Sequence, residues 1–92
     1  MRAIMDARRP FGEVGVPTIY RFGPNVFLFH SREHDPPHVH VLSSDAWAWF
    51  ELEPVRLRRS KGYTQRQLGQ LHRIVEDQQV PFLRRWNEHF GR

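Results

Sequence analysis

Ninety-two residues without a cysteine, 39% hydrophobic and 13% aromatic, with a formal charge of +4, describe one small basic domain. Lack of cysteine excludes a disulfide framework and thiolate chemistry. No apolar run nears the roughly 20 residues that cross a bilayer, and no signal-like segment opens the chain, so a cytoplasmic protein without membrane partners is expected.

Residues 1–16 hold Gly12 and Gly15, show no sustained periodicity and run into Pro17. They read as an N-terminal arm, leaving residues 17–92 as a single domain. Thr18 to Phe22 is β-branched and aromatic, Gly23-Pro24-Asn25 is turn chemistry, and Val26 to Phe29 is apolar, which together predict a β-hairpin. Ser31 to Pro37 is a polar loop, and its Pro36-Pro37 pair biases the chain toward extended geometry as it enters His38. From there Val39 and Val41 alternate with His38 and His40, a period of two. After a turn at Ser43-Ser44-Asp45, Ala46, Ala48, Phe50 and Leu52 alternate with Trp47, Trp49 and Glu51. A last short edge strand is expected where Val55 and Leu57 alternate with Arg56 and Arg58.

Thr64 is a helix N-cap with Gln67 at the capping-box spacing. Leu68, Leu71, Val75, Phe82, Trp86 and Phe90 form a stripe at helical period, with Gln78 where one further member is due. Pro81 kinks this helix or begins a second one; because the stripe keeps its register, one kinked helix is favoured. Strands first and helix last predict an α+β domain. Its antiparallel sheet has about four to five strands, covered on one face by a long Pro81-kinked C-terminal helix or by two consecutive helices.

Four of the six histidines lie between residues 30 and 40. If Val39 and Val41 face the helix with Ala48, Phe50 and Leu52, then His38 and His40 lie on the opposite face. Their neighbours there are Trp47, Trp49 and Glu51, with the imidazoles about 6–7 Å apart along the strand. Two exposed indoles are expected beside them, to stack on nucleic-acid bases or anchor a partner, unless the arm covers them. Between Pro54 and Val75 stand Arg56, Arg58, Arg59, Lys61, Arg66 and Arg73 with no acidic residue, which points to a polyanion or an acidic partner.

Five segments carry a family resemblance: Pro17-Thr18-Ile19; His34-Asp35-Pro36-Pro37-His38-Val39-His40-Val41; Ala48-Trp49-Phe50-Glu51-Leu52-Glu53-Pro54; Gly62-Tyr63-Thr64-Gln65-Arg66-Gln67-Leu68; and Leu83-Arg84-Arg85-Trp86-Asn87. Over about residues 17–90 the chain resembles the 4160 family of domains of unknown function, small prokaryotic proteins. The resemblance implies the toxin half of a toxin–antitoxin pair, with a small antitoxin as partner, and implies no mechanism. The chain departs from the family pattern in its N-terminal arm, in Pro81, and in Trp47 and Trp49, where charged residues are expected.

Three chemistries compete for the histidine face. In an RNA-cleaving toxin, His38 and His40 divide base and acid roles, Arg56, Arg58 or Arg59 stabilises the phosphorane, and no cofactor is needed. In a metal protein, His34, His38 and His40, with Glu51, ligate zinc. In a non-catalytic module, Trp47, Trp49, Arg56, Arg58, Arg59 and Lys61 bind nucleic acid or a partner protein, and the histidines are structural.

Overall fold

A computed structural model describes residues 18–30 and 36–91. The arm and His34 lie outside the described residues. Five strands follow one another in the sheet in chain order, every neighbouring pair antiparallel. They are β1 (Thr18–Phe22), β2 (Asn25–Leu28), β3 (His38–Leu42), β4 (Trp47–Leu52) and β5 (Val55–Lys61). Two helices, α1 (Gln65–Asp77) and α2 (Gln79–Phe90), complete the α+β fold. No helix among the described residues is long and apolar enough to cross a membrane.

The core lies between one sheet face and the helical stripe. Phe27, Phe29, Val39, Val41, Ala48, Phe50 and Leu52 meet Leu68, Leu71, Val75, Phe82 and Trp86, all buried. Aromatic rings supply much of the contact: Phe29 meets Trp86 edge-on at 5.2 Å, Tyr20 meets Phe27 edge-on at 5.5 Å, and Trp86 lies 4.3 Å from Phe90. Such geometry lets a thin core gain from ring quadrupoles as well as from buried area.

The helical segment is two helices, not the single kinked one. Gln78 ends α1 and begins α2, its carbonyl accepting from the Phe82 amide at 2.8 Å. Pro81 falls at the third position of α2, inside the first turn, where an amide has no intrahelical acceptor to lose. Breaking the helix there removes the clash that an interior proline brings. The apolar stripe continues across the joint, so both helices cover the same sheet. Gln79 fastens the joint, its side-chain amide donating to the Leu52 carbonyl at 2.6 Å.

The last strand is longer than Val55 to Arg58 suggests. Phe50 pairs with Leu57 but Trp49 pairs with Arg59, so Arg58 is an extra residue in β5. A bulge resets strand parity. Leu57 stays on the core side, while Arg59 and Lys61 stand on the other face beside Trp49 and Trp47.

Two local devices set the entry to α1. Thr64 Oγ1 accepts from the Gln67 amide at 3.1 Å and Gln67 Oε1 accepts from the Thr64 amide at 2.8 Å, a complete capping box. Just before it, Gly62 has φ +92°, and a Cβ there would meet the Asp45 carbonyl oxygen at 2.5 Å. Neither the conformation nor the space admits a side chain. Tyr63 donates to Asn25 Oδ1 at 2.8 Å, tying this corner to the β1–β2 turn. Burial pushes its phenol above the usual 10.0, with the Asp45 charge adding to the rise and Ser43 opposing it.

Gly62→Ala is expected to cost about 2–3 kcal/mol, and Thr64→Ala about 1 kcal/mol, out of roughly 5–10 kcal/mol for a domain of this size. Urea denaturation checks both: lower midpoints at unchanged slope are expected, the Gly62 variant's lower than the Thr64 variant's.

Candidate functional site

The register of β3 on β4 assembles the residues singled out by sequence. His38 stands opposite Glu51 and His40 opposite Trp49, while Val39 and Val41 stand opposite Phe50 and Ala48. The two histidines therefore share the face turned away from the core with Trp47, Trp49 and Glu51. Pro37 helps set this register, because its carbonyl accepts from the Leu52 amide at 3.0 Å. A proline can take only the acceptor half of such a pair, and it does so at the mouth of the strand.

Exposure departs from expectation at two positions. His38 is buried, at 5% of its free surface, and Trp49 is half-buried with its indole nitrogen sealed from solvent. Trp47 alone of this pair is open, at 38%. Parity assigns a side chain to a face but says nothing of what packs at a strand's end. There the ring of Trp86 from α2 lies 5.1 Å from the His38 ring, Trp49 lies 5.4 Å away, and His40 5.2 Å away edge-on. The buried indole N–H groups of Trp49 and Trp86 have no acceptor among the described residues, an arrangement that costs about 1–3 kcal/mol per group.

His38 is anchored at one ring nitrogen. Nδ1 lies 2.8 Å from the Pro36 carbonyl oxygen, which can only accept, so Nδ1 carries a proton and fixes the orientation of the ring. His40 is half-buried between two rings. His30 stacks on it at 3.9 Å with the planes 7° apart, and Trp49 lies near parallel at 6.1 Å and 18°. His30 and Trp86 are the site residues that sequence reasoning left out. His30 was within reach of it, lying two residues past Leu28, which pairs with His40.

Glu51 divides the cations of β5. Its carboxylate meets Arg58 at 3.2 Å and Arg56 at 3.5 Å. Two guanidinium groups on one carboxylate oppose its use as a metal ligand. Among the described residues, no three of His, Cys, Asp and Glu converge on a point that holds a metal ion. Arg59 and Lys61 stand directly opposite Trp49 and Trp47 in the ladder. Across three strands the open face thus reads His40, Trp49, Arg59 in one row and Leu42, Trp47, Lys61 in the next. Both cations and Trp47 are exposed, and Leu42 is 38% exposed.

No curated protein and no solved structure matches the chain. A family model does match, the one described as Domain of unknown function (DUF4160), over residues 24–87. That span runs from the β1–β2 turn through most of α2 and takes in the four histidines between residues 30 and 40, both open-face indoles and every cation of β5. With well over half of its length matched, the chain belongs to this family of domains of unknown function.

Proposed function

We propose that the open sheet face binds single-stranded RNA, with Trp47 and the edge of Trp49 receiving bases and Arg59 and Lys61 receiving the phosphates between them. The two cross-strand rows carry this reading. Each pairs an indole with a cation one strand away, at the roughly 5 Å separation of laterally paired residues. Base stacking is worth about 1–3 kcal/mol per base and tolerates any sequence, while the cations hold the backbone. Arg56 and Arg58, occupied by Glu51, shape the face and are a weaker contribution to phosphate binding.

A second reading, RNA cleavage by a toxin held in check by an antitoxin, is favoured by the His38 hydrogen bond. With Nδ1 donating to Pro36, Nε2 is the nitrogen that would act as the base, and His40 is near enough to serve as its acid partner. Burial works against His38 as the group that touches RNA directly. In this reading His40 contacts the substrate and His38 requires the strand end to open.

Fluorescence anisotropy with a labelled oligouridine RNA tests binding. The double variant Arg59→Glu, Lys61→Glu should weaken affinity at least about tenfold and flatten the salt dependence by about two counterions. Trp47→Ala should lose about 1–3 kcal/mol at unchanged salt slope. Wild-type affinity in both variants, or no binding at low salt, overturns the reading.

Cleavage is checked separately, by incubating wild type and His40→Ala with the same RNA and by expressing both in growing cells. Shorter products and growth arrest with wild type, both lost in His40→Ala, support the toxin reading; intact RNA that remains bound removes it. His38→Ala is unsuited to this purpose. Removing its packed ring should cost about 2–4 kcal/mol of stability, read as a fall in the urea midpoint.

A further inference from the structure

On the helical side of the molecule, away from His38 and His40, a groove of about 430 Å³ lies between the end of β1 and the outer surface of α1. Its lining is Phe22, Arg66, Gly69, Gln70, Arg73 and Ile74. Phe22 is 43% exposed, unusual for a phenylalanine with a core a few residues away. Arg66, Gly69, Gln70 and Arg73 fall on one face of α1 by helical spacing. Neither arginine has a carboxylate partner among the described residues, and the stretch from Val55 to Ile74 holds no Asp or Glu.

Gly69 is the independent observation. Glycine inside a helix is less stable than alanine, so folding alone gives no reason to place it there. A Cβ at this position would meet nothing within 4 Å. The protein's own packing therefore does not require the missing side chain. Its absence leaves bare helix backbone on the floor of the groove, between the two arginines.

We infer that this groove docks an acidic amphipathic helix of a partner protein. Its apolar stripe lies over Phe22, Gly69 and Ile74, and two carboxylates seven residues apart meet Arg66 and Arg73. The spacing decides for a helix. Two turns of α1 separate the arginines by about 10.5 Å, and positions seven apart on a second, nearly aligned helix repeat that distance on one face. Gly69 between the arginines lets the two backbones approach closely. Asp45 lines an adjoining hollow that shares Phe22 and Gln70, which confines the partner's acidic residues to the arginine side. An RNA strand fits less well, since the floor is apolar and only two cations flank it.

Phage display of random peptides against the full chain tests the proposal, with selected peptides then titrated by anisotropy against variants. Selected peptides should carry Asp or Glu with apolar residues at helical spacing. Their affinity should fall about tenfold or more for Gly69→Gln and for Arg66→Glu, Arg73→Glu, and stay unchanged for Arg59→Glu, Lys61→Glu. Gly69→Gln adds its side chain into open space, so circular dichroism should report an intact fold. A selection without acidic enrichment, or peptides that bind Gly69→Gln as tightly as wild type, overturns it. So does loss of oligouridine binding in Arg66→Glu, Arg73→Glu with no peptide selected, which would hand the groove to nucleic acid and count against the open-face reading as well.

Discussion

Val39 and Val41 can reach the helices only if Phe50 and Ala48 face them across the β3–β4 ladder, and this one register governs the rest of the molecule. A slip of β3 by one residue would drive two histidines into an aromatic core and turn two valines into water, and the same slip of β4 would bury two tryptophans and a glutamate. The end of the strand is fixed as well, because Pro37 offers its carbonyl to Leu52 and has no amide to offer elsewhere. The histidine face is therefore a by-product of core formation in its position, though not in its chemistry. Any residues at 38 and 40 would lie there, although His38 also packs against Trp86 and bonds the Pro36 carbonyl.

The edge strand solves a different problem. β5 has to present apolar Leu57 to the core and cations to water, yet Arg58 and Arg59 are adjacent, and strict alternation would turn one of them inward. The bulge at Arg58 removes the conflict. It also divides labour among the cations, leaving Arg56 and Arg58 around Glu51 while Arg59 and Lys61 sit beside the indoles. A charged, bulged edge discourages pairing with other sheets, so part of this charge serves the monomer regardless of any ligand. That defensive role explains cations on the edge; it does not explain why Arg59 and Lys61 stand opposite tryptophans.

Features written in short-range chemistry were legible in the sequence. The capping box needs only Thr64 and Gln67, three residues apart, and the first hairpin needs only its turn and two flanking runs. The histidine face followed from parity. What escaped depends on residues distant in the chain. His38 is buried by Trp86, 48 positions later, and no period or propensity links them. The bulge in β5 is defined by its partner strand, and the unbroken stripe favours a kink at Pro81 until Gln78 is seen to end one helix and begin the next.

The two surfaces differ in what holds them in place. On the open face, Trp49, His40 and His30 are stacked ring on ring, and Glu51 is clasped by two arginines, so the positions that meet a ligand rest on side chains already fixed by one another. Little ordering remains for binding to impose, which favours affinity from few contacts. The groove on α1 has the opposite character. Its rigid part is helix backbone bared at Gly69, and its cations are long, exposed side chains, suited to steering an acidic partner and settling around it. A chain of this size has few ways to carry the two proposed binding surfaces without sacrificing its core. Placing one on the back of the sheet and the other on the outer side of the helix that covers it leaves the apolar layer between them uncut.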